Sequence, residues 1–207
     1  MKIDPESIER RSFYLIESEV EKPIPFDPGQ WKIVRRTIHA SADFELLSLV
    51  QFHPNAVSAG IDALRGGCYI ITDTKMALAG INKEMAKRLG VKLRCFISKR
   101  EVKRIAEKKK ITRSFAAVDF SIPYSRESIY VIGNAPTALI RLLQLIEEGV
   151  CRPYMIVGMP VGFVNVIESK ELLMEQKGIP YITVKGRKGG STLAVAVVNQ
   201  LLDMAIA

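Results

Sequence analysis

Five short apolar runs punctuate the chain: CYIIT at 68–72, LRCFI at 93–97, IYVIG at 129–133, YMIVG at 154–158 and YITVK at 181–185. Each is rich in β-branched or aromatic residues, and none alternates polar with apolar. That is the pattern of strands covered on both faces. Most are followed closely by Gly, Asp or Ser, and helical periodicity fills the segments between them. TKMALAGINKEMAKRLG follows the first run, PTALIRLLQLIEEG the third, VIESKELLMEQKG the fourth and STLAVAVVNQLLDMA the fifth. Gly90, Gly149 and Gly178 stand where helix C-caps belong. This alternation predicts an α/β fold in three layers, α/β/α, with a mostly parallel, about five-stranded sheet.

Residues 1–65 read differently. ESIERRSFYLIESEV and DPGQWKIVRRTIHA both carry helical patterns. In the second, Asp27 suits an N-cap and Pro28 the first helical position, and Trp31, Val34 and Ile38 fall on one face. This part is expected to be mainly helical and to belong to a single domain over 1–207, without folding alone.

Composition narrows the class. Over 207 residues, 48% are hydrophobic, enough for a large core, and the 25% charged content is ordinary. A net charge of +8 points to an anionic partner: nucleic acid, a phosphorylated cofactor or a polycarboxylate. KREVKRIAEKKKITR, 99–113, is the most basic stretch, but no aromatics interleave with its charge to make a stacking platform. It reads as a solvated helix face, and no nucleic-acid partner is expected. Cys68, Cys95 and Cys151 form no C-x-x-C pair, which argues against a zinc site and suits reduced thiols. The polar N-terminus, MKIDPESIERR, lacks the apolar core of a signal peptide, and no window approaches the roughly 18 apolar residues of a membrane span. A cytoplasmic protein with no membrane partner is expected.

Ligands of open α/β sheets bind at the carboxyl ends of the strands, so the loops there hold the candidate chemistry. In IGNAPTAL, 132–139, Asn134 can cap the following helix and Pro136 fits its first turn. Free amides there suit a carboxylate or another anion, although a well-capped helix alone explains them. GMPVGFVNVIESK, 158–170, makes a rigid apolar wall and is not G-x-G-x-x-G, so a dinucleotide site has little support. GRKGGST, 186–192, has glycines that allow close approach, charge on Arg187 and Lys188, and Ser191 to cap the last helix. It lacks phosphate-loop spacing, and a carboxylate or phosphate contact and a plain tight loop both remain open. Asp73 in ITDTKM occupies a place common for active-site acids, but a cap on the next helix is the preferred reading. Arg113 in TRS, 112–114, can grip a carboxylate between two hydroxyls. His53, in QFHPN, reads as structural or surface.

His39, in RRTIHASADFE, is either a packed residue or a proton donor. Arg35 and Arg36 disfavour an imidazolium, whereas a helix C-terminus favours one. A histidine between these influences suits proton donation.

RSF at 11–13, RRTIHA at 35–40, TRS, IGNAPTAL, GMPVGFV with ESK, and GRKGGS occur in this order. The set resembles the precorrin-8X methylmutase family, also called precorrin isomerases, from about residue 8 to about residue 203. The resemblance implies an isomerase that moves a methyl group from C11 to C12 of the precorrin-8 macrocycle. The product would be hydrogenobyrinic acid, or cobyrinic acid when cobalt is already inserted, and no redox cofactor or protein-bound metal is implied. It also implies His39 as proton donor and Ser12, Arg36, Arg113 and Ser114 as substrate contacts. Asn134, Arg187 and Gly189 lie in matching motifs. The family is dimeric with a shared pocket, so a homodimer is implied. One departure is Ser41–Ala42, where the family often has a small residue and then Gly. Two alternatives of other classes are a corrinoid carrier without turnover and a nucleotide-dependent transferase.

Overall fold

Six strands form one sheet in the order β1-β6-β5-β4-β2-β3. They are β1 (Val50–Phe52), β2 (Tyr69–Thr72), β3 (Lys92–Cys95), β4 (Ser128–Ile132), β5 (Met155–Gly158) and β6 (Tyr181–Val184). The computed structural model describes residues 5–207; the start of the polar N-terminal segment, 1–4, lies outside it.

All five apolar runs contain a strand, and these five are parallel. The sixth strand corrects the expected count. It falls inside 1–65 and pairs antiparallel with β6, Val50 opposite Val184 and Phe52 opposite Ile182. Three residues are too few to show a period, so β1 exists because β6 offers it an edge. The His53 amide extends that edge to the Tyr181 carbonyl at 2.9 Å, and the two rings lie 5.8 Å apart, which suits the structural reading of His53.

The helices are α1 (Pro5–Glu19), α2 (Pro28–Ser41), α3 (Leu46–Leu49), α4 (Ala56–Arg65), α5 (Lys75–Gly80), α6 (Lys83–Arg88), α7 (Arg100–Lys109), α8 (Arg113–Ser121), α9 (Pro136–Glu147), α10 (Val166–Glu175) and α11 (Ser191–Ile206). They cover both faces of the sheet. Val131 and Val157 join Val34, Ile38, Leu64 and Leu201 in one core, while Tyr130 and Ile156 join Val102, Leu139 and Leu173 in the other. Successive strand residues therefore feed opposite cores, which is why the runs are apolar throughout.

Asp27 caps α2 through the Gly29 and Gln30 amides, with Gln30 returning the bond to the Asp27 amide, as its position predicts. The expected single helix after β2 is two. Asn82 caps α6, and the Asn199 side chain accepts from the Asn82 amide at 2.8 Å and donates to the Gly80 carbonyl at 3.0 Å, holding the break. Gly90 and Gly149 take the left-handed conformation after α6 and α9, but Gly178 does not. The turn after α10 is closed instead by the Gln176 side chain, bonded to the Ile179 amide and carbonyl. On α7, Val102 and Ala106 are buried and the basic residues face solvent. Among the described residues no helix is long and apolar enough to cross a membrane.

The parallel strands run β3-β2-β4-β5-β6, so the chain reverses its direction of travel across the sheet between β2 and β4. The connections after β2 and β4 part there and open a crevice at the carboxyl edge.

Candidate active site

Asp73 directly follows β2 in this crevice. Its Oδ1 accepts from the Gly133 amide at 2.9 Å, and its Oδ2 from Asn134 at 2.9 Å and Ala135 at 2.8 Å. Burial pushes its carboxyl up from the ordinary value, and the three amides pull the other way. The expected cap on α5 is therefore a correction: Thr74 caps α5 through the Ala77 amide, and Asp73 ties down the neighbouring turn. Asn134 does not cap α9, whose N-cap is Ala135 without a side-chain bond. Because Asp73 takes the amides of that turn, the exposed Asn134 side chain is left to face the crevice.

Arg113 and Ser114 open α8, behind the N-cap Thr112. They line a cavity of about 480 Å³ together with Asp73, Lys75, Ser98 and Asn134. Two cations, the hydroxyls of Thr74, Ser98 and Ser114, and an amide meet the N-terminal turns of α5 and α8, an arrangement suited to carboxylate groups. Lys75 and Ser98 were not legible as site residues in the sequence. Their signal is positional: each lies just after a parallel strand on the β2–β3 side of the reversal.

His39 lies elsewhere, exposed in the last turn of α2. Its ring packs against Phe13 of α1 at 5.2 Å, and the Arg35 and Arg36 guanidinium carbons stand 4.3 and 4.8 Å from the Phe13 centroid. Arg35 pairs with Glu17. Arg36 bonds Glu9 at 2.5 Å and Gln200 at 3.3 Å. Arg36 and His39 line a second cavity, of about 470 Å³, with Glu9, Thr192 and Asn199. Ser12 does not line it; its hydroxyl donates to the Ile8 carbonyl at 2.9 Å within α1. The core reading of His39 fails: its neighbours on α2, Thr37 and Ile38, are buried, and the imidazole is not.

One chain thus groups Arg36 with His39 and, separately, Arg113 with Ser114. The two cavities share no lining residue. They are linked where the Thr74 hydroxyl, in the wall of the Asp73 cavity, bonds Ser191 at 2.9 Å, the residue before Thr192 of the His39 cavity. Ser191 makes that bond instead of the expected cap on α11, whose N-cap is Gly190. A Cβ on Gly133 would lie 2.7 Å from the Ser191 Cα, so glycine there lets α11 start directly on the turn after β4.

The α2 terminus holds the one departure from the motif set. Ala42 closes α2 at φ 53, ψ 30, the left-handed conformation that glycine adopts freely. Ala42→Gly is expected to raise unfolding stability by about 1 kcal/mol, read as a higher denaturant midpoint with unchanged slope.

The loop after β5 carries exposed apolar side chains, with Phe163 83% and Val164 77% exposed. Arg187 stacks over Phe163 at 5.7 Å. Among the described residues no group of three or more His, Cys, Asp or Glu is placed to hold a metal ion. The arrangement offers exposed apolar side chains, several cationic and hydroxyl contacts, and one exposed imidazole.

The family model for precorrin-8X methylmutase (CbiC) matches residues 7–204. A cobalt-precorrin-8 methylmutase of Leptospira interrogans is 44% identical, covering 95% of this chain and 92% of its own. One of Salmonella typhimurium is 43% identical, covering 96% and 94%. The crystal structure of a precorrin-8X methylmutase from Thermus thermophilus superposes with a TM-score of 0.89 at 41% identity, covering 97% of this chain and 96% of that one.

Proposed function

The chain belongs to the precorrin-8X methylmutase family, methyl-shifting isomerases of cobalamin biosynthesis, and on that premise we propose that His39 is the general acid of the shift from C11 to C12. The observation that carries this reading is the exposed imidazole in a cavity wall, on a helix whose other face is locked in the core. A proton lent to the conjugated ring raises electron demand at the carbon that receives the methyl. The methyl migrates with its bonding pair, and the neutral imidazole recovers a proton once the product forms. Atoms balance without an external oxidant or reductant.

Arg36 orients a peripheral carboxylate beside His39, exchanging its bond to Glu9 for the ligand. Arg113 and Ser114 bind carboxylates in the other cavity, and Ser12 contacts the ring's rim. A flat macrocycle fringed with carboxylates is broader than either cavity. We therefore assign the complete site to a homodimer, in which Arg113 and Ser114 of one copy face His39 of the other. The exposed Val161, Phe163 and Val164 supply an apolar surface for such a complex. The family model's span supports one catalytic domain, and three unpaired cysteines fit the reducing cytoplasm. The cobalt-precorrin-8 activity of the Leptospira and Salmonella relatives favours a substrate that already carries cobalt.

A single-turnover absorbance assay with the substrate isomer tests this. The purified chain alone should convert the macrocycle to the methyl-shifted product. Tight binding with an unchanged spectrum would contradict catalysis and leave a carrier.

A further inference from the structure

Lys170 is 1% exposed on α10. Its ammonium donates to two backbone carbonyls, Gly186 at 2.9 Å and Lys188 at 2.5 Å. Burial pushes its pKa down to about 8, a penalty that the carbonyl bonds oppose. Both carbonyls belong to the loop between β6 and α11. The same loop is gripped from its other side. The Gly190 amide donates to the Met159 carbonyl at 2.8 Å, and a Cβ on Gly189 would lie 2.5 Å from the Met159 and Pro160 oxygens. Its backbone is therefore fixed at two places, by a buried cation and by the loop after β5.

From that fixed backbone the Lys188 side chain reaches back to the segment that follows α2. Its ammonium meets Asp43 Oδ2 at 2.5 Å and Glu45 Oε2 at 2.8 Å. The hydrogen bond from Lys188 holds the Asp43 carboxyl below its ordinary value. These two acids follow Ala42, directly after the exposed turn that carries His39. The inner face of α2 is held by the core as far as Ile38, and residues 39–42 beyond it are exposed. Terminal turns fray most readily.

We infer that Lys188 is a positioning residue: anchored through its loop by Lys170, it ties the end of α2 to the sheet edge and sets the approach of His39 to the macrocycle. This rests on His39 as the general acid. It also reassigns Lys188, whose charge is already met by two carboxylates in the free chain. A direct grip on a substrate carboxylate would first have to break both pairs.

The test is a comparison of Lys188→Met, Lys188→Arg and Asp43→Asn in the full-length protein. Turnover is followed by absorbance and the product Kd by titration. Half-exposed ion pairs contribute only about 0–1 kcal/mol, so all three variants should fold, which circular dichroism checks. Small displacements of a reacting group are costly in rate, so Lys188→Met and Asp43→Asn should each lose about tenfold in kcat, with the Kd within about twofold. Lys188→Arg should recover most of the rate. A weakened Kd in Lys188→Met, alone or with kcat, would make Lys188 a substrate contact and overturn the inference. An unchanged kcat would overturn it as well. His39→Ala in parallel separates the two claims: full activity there sinks the general-acid reading, whereas an inactive His39→Ala beside a fully active Lys188→Met sinks only the strut.

Discussion

His39→Ala should lower the rate of methyl migration by ~10²–10⁴-fold and leave the macrocycle bound. The range follows from what general acids contribute when they are positioned at the reacting group. The variant should fold, because the imidazole is exposed and its aromatic contact is the half-buried Phe13 ring. Binding should survive, because the carboxylate contacts assigned to Arg36, Arg113 and Ser114 do not depend on it. The decisive comparison is the single-turnover rate against the product Kd for wild type and variant. A rate loss with an equal loss of binding would make His39 a binding residue only, and an unchanged rate would remove it from the mechanism.

Arg113→Ala should do the opposite, weakening macrocycle binding by roughly 10- to 100-fold. A hydrogen bond to a charged group is worth about 1.5–3 kcal/mol, which is that range of Kd. Arg113 is exposed at the start of α8, and its side chain makes no bond that α8 needs, since the cap comes from Thr112. Stability should therefore change little, and the effect should appear in a titration. The two variants together also test where the complete site forms. In randomly mixed dimers, roughly half of the molecules pair one His39→Ala chain with one Arg113→Ala chain, and each such dimer keeps one intact shared site. Mixing the two poorly active proteins should restore roughly a quarter of wild-type activity at low substrate. No recovery would place His39 and Arg113 in a site built within one chain.

The sheet was legible because strands feeding two cores must be apolar at every position, and such runs stand out between amphipathic helices. β1 was not, because three residues carry no period and its pairing depends on a partner more than a hundred residues away. The break between α5 and α6 was hidden for a similar reason. Asn82 is a visible cap, but Asn199 of α11 holds the interruption open. Asp73 drew notice at the end of its strand, yet its target is the turn after β4, and only the strand order makes those two turns neighbours. His39 and Arg113 both came from motifs. Sequence order says nothing of cavities, and the separation of the two residues into different ones follows from the fold.

The most direct measurement of the central claim is the distance from the His39 imidazole to the macrocycle in a crystal structure with bound product. A ring nitrogen within hydrogen-bond reach of the conjugated system beside the migrated methyl, directly or through one water, about 2.6–3.2 Å per contact, is the predicted result. An imidazole turned away from that edge of the ring, with no residue or water between them, would contradict it.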